Sequence, residues 1–353
     1  MMGTLRGRLA LVLALAVTAG GSAGGVRDAH ANIWQDTLEL ASPDATKATY
    51  DKALREGDEH VLMANMENAS LSVRKQQVQL AIQSYRNAAV ALPQEATPYF
   101  RIAATLHSFY LEACAEPRLG TSGSPLRDCR DRKLFNAVVG KQVVDALYAA
   151  EARAPLDPRW AADSGESLIF TRALLLTRLA TRATWEAAVR DYKLYLSRAD
   201  GSDRGTENAW SNLAETYMML GRLDDALDAY REIRDYPDVS TTYGAAVALD
   251  RSERGDLAQA LIVRQGKQGY ELFRQLVNLD LTFFVPAGEE YYYFALVEQA
   301  WGNHDAALSA WRQYIASGAH PQFHARAKHH IDMLITKRRA RPTPPFDPFM
   351  ELR

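Results

Sequence analysis

ENAWSNLAETYMMLGRLDDALDAYREIRDYP, residues 207–237, decides how this chain folds. In its first half Trp210, Leu213, Ala214, Tyr217 and Met218 stand at offsets of 0, 3, 4, 7 and 8, one apolar stripe along a helix. Gly221 interrupts the stripe. Leu223, Ala226, Leu227, Tyr230 and Ile233 restart it, and Pro237 ends it. The pattern predicts two short amphipathic helices joined by a glycine turn, an antiparallel helical hairpin. Such a hairpin cannot cover its own stripe, so it requires neighbours of the same kind.

Working outward, the pattern recurs. Gly255 lies 34 residues after Gly221, and each is followed five residues later by an alanine, Ala226 and Ala260. Gly302 repeats the arrangement with Ala307 and Trp311, the latter matching Tyr230. The segment resembles a tetratricopeptide repeat, whose pattern is W-x2-L-G-x2-Y, then A-x3-F, then P, with a period of 34 residues. Here it reads Trp210-x2-Leu213-Ala214-x2-Tyr217, Ala226-x3-Tyr230, Pro237. Fainter copies carry Ala81-x3-Tyr85 with Pro93, Tyr99-x2-Ile102-Ala103-x2-Leu106, Ala188-x3-Tyr192, and Tyr291-x2-Phe294-Ala295 with Pro321. In the copy at 241–266, Arg251 and Arg264 replace the expected aromatics.

The resemblance implies an all-α fold, a right-handed superhelical solenoid of helical hairpins over residues 61–321, with insertions near 114–134 and 272–287. Helices in 32–60 are expected to cap its start and a polar helix over 322–339 its end. Residues 340–353 form a proline-rich tail without helical pattern. The inserted stretch at 272–287 is expected to add a helix and a turn. By position in the family, the first helix of each hairpin lines a concave binding face. That face would include Phe100, Ala104, Asn208, Ser211, Glu215, Met218, Ala245, Leu249, Tyr292 and Leu296. Family members that clamp a peptide carboxylate carry a lysine and asparagines there; Ser211, Glu215 and Met218 do not supply that set.

Arg6 and Arg8 precede an apolar run, Leu9 to Val17, followed by small residues. This is the layout of a secretory signal peptide over residues 1–31, with cleavage after Ala31 or after Ala23. No later apolar stretch is long enough to span a bilayer, so a periplasmic or secreted protein is expected. Cys114 and Cys129 enclose a Gly-, Pro- and Ser-rich stretch, and in an exported chain such a pair is expected to form a disulfide closing a loop. The net charge of -2 gives no reason to expect nucleic acid as a partner.

The chemistry-bearing candidates are sparse. Ser72-x-x-Lys75 sits inside a helical pattern without any K-T-G partner, and the chain lacks G-x-S-x-G, H-E-x-x-H and a phosphate-cradling glycine loop. Asn68-Ala69-Ser70 reads as a helix cap. His320 and His324 have the spacing of two metal ligands on a helix, but Pro321 puts His320 at or outside the helix start, and a solvated histidine-rich surface is the plainer reading. Lys337, Arg338, Arg339 and Arg341 form a basic helix end that could meet anionic lipid or a partner. The expectation is therefore a protein without catalytic activity or cofactor, a scaffold for other envelope proteins in a concave groove. The alternative is an accessory subunit that binds cell-wall glycan through aromatics such as Tyr292.

Overall fold

The computed structural model describes residues 43–112, 124–127, 135–161, 167–199, 204–233, 239–278, 282 and 284–340. The predicted signal peptide, both cysteines with their expected disulfide, and the tail from 341 onward lie outside the described residues. Among the described residues the chain forms thirteen α-helices and no strand. They are α1 (Pro43–Asn65), α2 (Leu71–Ala91), α3 (Thr97–Tyr110), α4 (Ala137–Glu151), α5 (Leu168–Arg178), α6 (Arg182–Arg198), α7 (Arg204–Met219), α8 (Leu223–Arg231), α9 (Val239–Arg251), α10 (Gly255–Asn278), α11 (Glu290–Ala300), α12 (His304–Ser317) and α13 (His324–Ala340). Consecutive helices pair as six hairpins, α1–α2 through α11–α12, and α13 packs on the last of them. From the third hairpin on, the first helices also touch one another, α5 with α7, α7 with α9 and α9 with α11.

Local chemistry sets the helix ends. Ser70 caps α2 by accepting from the Val73 amide, and Thr181 and Thr184 close a reciprocal capping box on α6. Arg74 closes the α1–α2 turn, its guanidinium donating to the carbonyls of Ala64, Met66, Glu67 and Ala69. Three hairpins share one turn geometry. At Gly221, Glu253 and Gly302 the backbone takes φ of 76°, 63° and 77°. The next residue's amide in each case reaches back five positions, Arg222 to Tyr217 O, Arg254 to Leu249 O and Asn303 to Glu298 O, each 2.9 Å. This double-bonded left-handed cap satisfies carbonyls that the helix end would leave open.

That geometry corrects the repeat register. The left-handed residue of the fifth hairpin is Glu253 rather than Gly255, and Gly255 is already the first residue of α10. Counting five residues on from each turn residue gives Ala226, Ala258 and Ala307, all fully buried. Ala260, the alanine chosen from the glycine spacing, is exposed. A further departure concerns the start of the array. Rather than a cap confined to 32–60, α1 runs on to Asn65 and is the first helix of a complete hairpin with α2. Gly57 lies so close to Tyr85 there that a Cβ would overlap the ring. Ahead of the insertion near 272–287, α10 is two helical pieces joined by a kink at Gly266 (φ 77°, ψ 170°), and the second piece runs into the insertion as far as Asn278.

Most buried side chains belong to one continuous apolar core, with Tyr85, Phe109, Leu147, Trp160, Tyr192, Phe273 and Trp311 among its largest members. Arg172 crosses this core on α5. Its side chain is 1% exposed, and it donates to both oxygens of Asp191 on α6 at 2.7 and 2.9 Å and to Glu151 on α4 at 2.5 Å. Far-apart hairpins also meet: the Trp185 ring on α6 lies 5.8 Å from that of His320, just before α13. The segment from Phe284 to Glu290 faces Arg178–Ala180 and Phe135 across a cavity of about 290 Å³.

The corrected register makes a sharp prediction. Ala258→Glu buries an unpaired carboxylate and lowers stability by roughly 4 kcal/mol or more, whereas Ala260→Glu changes it by about 0.5 kcal/mol at most. Urea unfolding of the two variants, followed by circular dichroism, reads the difference directly.

Candidate functional site

A cleft of about 680 Å³ opens over the first helices of the second, third and fourth hairpins. Phe100, Ala103, Ala104, His107 and Ser108 of α3 form one wall, Ser167, Leu168, Phe170 and Thr171 at the start of α5 form the opposite one, and Asn208 of α7 closes an end. Val143 and Leu147 of α4 and Tyr195 of α6 make its apolar floor. Arg159 enters from the 3-10 turn Pro158–Trp160. Its guanidinium lies 3.5 Å from the centroid of the Phe100 ring and holds Asp157 through two bonds of 2.7 and 2.8 Å. Those bonds pull the Asp157 carboxyl below its ordinary range. Burial lowers the His107 pKa, partly offset by Glu112, whose carboxylate is 3.8 Å away.

The residues expected to line a binding face divide into two groups. Phe100, Ala104 and Asn208 do line this cleft. The others are taken up by packing. Met218 and Leu296 are 2% and 5% exposed, in the core. Ala245 and Leu249 pack against it. Ser211 accepts a hydrogen bond from Thr241, and Glu215 is half-buried beside it on α7. Tyr292 is fully buried, its hydroxyl donating to Asp250 Oδ2 at 2.7 Å and its ring edge-on to Trp311 and Tyr314. It is a core residue and not an accessible contact. Phe170, Tyr195, Ser167 and Arg159 were missing from the expected set. Arg159 comes from an inter-hairpin turn and Tyr195 from a second helix, positions outside the first-helix pattern.

A second concentration of polar side chains is sealed inside the last two hairpins. Asp250, fully buried, receives Tyr292, Arg326 (2.7 and 3.3 Å) and His330 Nε2 (3.0 and 3.1 Å). His330 stacks on Trp311 at 4.6 Å, and its Nδ1 accepts from Gln299, which in turn accepts from Trp311 Nε1. Arg251, one of the arginines standing in for a repeat aromatic, lies between the rings of Tyr292 and Phe323 and donates to Glu289 at 2.6 Å. Burial pushes the Glu289 carboxyl up to about 7 against the lowering effect of Arg251. Burial and Arg251 together hold His320 down to about 3, so its ring is neutral and Nε2–H donates to Val285 O. His324 Nε2 turns to Ala319 O instead, so these two histidines do not converge. Among the described residues no group of three or more His, Cys, Asp or Glu could hold a metal ion, and no helix is long and apolar enough to cross a membrane. The exposed Ser72 hydroxyl lies 3.0 Å from that of Ser70 in the α2 cap.

No protein-family model matches the chain, and no curated protein does. Among solved structures, the crystal structure of MamA protein aligns over 67% of this chain and 98% of that one, at 14% identity and a TM-score of 0.38.

Asp250 gives the buried cluster a pH signature. Burial would raise its pKa, but the hydrogen bonds from His330, Arg326 and Tyr292 outweigh that and leave it well below the ordinary carboxylate range. A depressed folded-state pKa contributes stability that is present above the unfolded aspartate value of about 3.9 and is lost as pH falls below it. Asp250→Asn is therefore expected to cost roughly 3 kcal/mol at pH 7, with the gap to the parent protein closing as denaturation curves are taken below about pH 4.

Proposed function

We propose that this chain is a non-catalytic, tetratricopeptide-type scaffold of the cell envelope that holds a segment of another protein in the cleft between α3, α5 and α7. The observation that carries the reading is the cleft itself. It spans the first helices of three successive hairpins, and its lining mixes aromatic and aliphatic side chains with a few separated polar groups. This composition suits an extended segment or a helix that contributes one or two apolar anchors. The superhelical form follows from the same resemblance, and the envelope location from the Arg6–Ala31 layout. The glycan alternative rests on aromatics such as Tyr292, and the burial of that ring withdraws its named contact.

A photo-crosslinking amino acid at exposed Ala104 or Asn208 is expected to capture a discrete protein partner in native extracts. Thr171→Trp, which fills the cleft, should abolish that crosslink while leaving the helical spectrum unchanged. Equal capture from position 90, an exposed valine on α2 away from the cleft, would count against the reading.

A further inference from the structure

The cleft contains a feature that apolar packing does not explain. Ser167 stands at the N-cap of α5, yet its side chain makes no capping bond. Its residue is only 4% exposed, and its hydroxyl oxygen has no hydrogen-bond partner. An unpartnered buried hydroxyl costs on the order of 1–3 kcal/mol, so one in a cleft wall marks a place where a partner belongs. The neighbouring backbone is in the same condition. The Ser167 carbonyl takes the first helical bond, from the Thr171 amide. The amides of Leu168, Ile169 and Phe170 donate no hydrogen bond to any described residue. Those three N–H groups lie at the positive end of an eleven-residue helix, which favours negative charge in its first turn.

We infer that the α5 end of the cleft is an oxyanion subsite, in which the Ser167 hydroxyl and the first α5 amides receive a carboxylate or phosphate attached to an apolar body. The body would rest against Phe100, Phe170 and Tyr195, which line the same space. Arg159 adds little net charge, because Asp157 already neutralises it; recognition falls on the hydroxyl and the amides. Glu112 also lines the cleft, beside His107, and it disfavours an anion placed at that end. The subsite is thereby confined to the α5 side. This inference rests on the proposed reading of the cleft as a binding site and specifies the chemistry of the group that enters it.

The test uses the whole chain and probes matched in shape. Binding of 3-phenylpropionate, 3-phenylpropyl phosphate and the uncharged 3-phenylpropanol is followed by the fluorescence of Trp160, whose ring lies 5.4 Å from Phe100. At least one anion is expected to bind tenfold or more tightly than the alcohol, and the two anions tell carboxylate from phosphate. Ser167→Ala should weaken that anion about tenfold, as loss of one charge-assisted hydrogen bond does, with the alcohol unaffected. Ser167→Asp places a carboxylate of its own on the same amides. It should raise the melting temperature while abolishing anion binding, an outcome that a purely structural role for Ser167 does not produce. Equal binding of all three probes, or no saturation by either anion, would overturn the subsite. A crosslinked protein partner together with charge-blind probes would sink the subsite alone. Anion binding without any protein partner would leave the subsite standing and remove the scaffold reading.

Discussion

The carboxylate of Asp250 is the point on which the C-terminal half of the molecule turns. It lies on α9 with no exposure to solvent, and its three partners come from two other helices, Tyr292 from α11 and Arg326 and His330 from α13. A buried carboxylate left unpaired would cost several kcal/mol, so these helices are held to one mutual arrangement in which every partner arrives together. Arg172 does the same for α4, α5 and α6 through Glu151 and Asp191. Apolar stripes make the helices pair, but stripes tolerate sliding. The charged ties fix which turn of one helix faces which turn of the next.

This division of labour explains what could be read from the sequence. The stripe of Trp210 to Ile233 announces two helices and a turn, and α7 and α8 lie where it puts them. A periodic apolar face is a local property, and a single sequence displays it. In the fifth hairpin the glycine at 255 does not mark the turn. Glu253 adopts the left-handed conformation without being glycine, held there by the hydrogen bonds of Glu253 and Arg254 to Asp250 O and Leu249 O. The burial of Tyr292 is invisible in the sequence for a different reason. Its neighbours come from α9 and α12, and only the assembled chain shows Asp250, Trp311 and Tyr314 packed around it.

The cleft was half legible on the same grounds. Phe100, Ala104 and Asn208 follow from their places in first helices. Arg159 and Ser167 belong to the connection between the second and third hairpins, where no periodicity operates. Ser167 is a residue type that ordinarily caps a helix, so the sequence gives no sign that its hydroxyl goes unused. Only the absence of the expected bond distinguishes it, and that is a fact of geometry.

The C-terminal hairpins also account for why an accessible cleft lies toward the N-terminal side. Phe284 packs against Phe273 and Tyr293 at ring distances of 6.1 and 4.9 Å. Thr282 meets Ser240 at 3.1 Å. The segment reached through the extended α10 is thus applied to the chain's own hairpins, and its continuation to Glu290 approaches the α5–α6 turn. Trp185 against His320 adds a further contact between the third hairpin and the chain just before α13. Side chains that a regular array would leave facing a partner, such as Met218 and Leu296, are instead spent on internal packing. Where the second, third and fourth hairpins present α3, α5 and α7, an open surface persists with apolar walls and unsatisfied polar groups at one end. A departure from regular repetition in one half of the chain therefore concentrates recognition in the other.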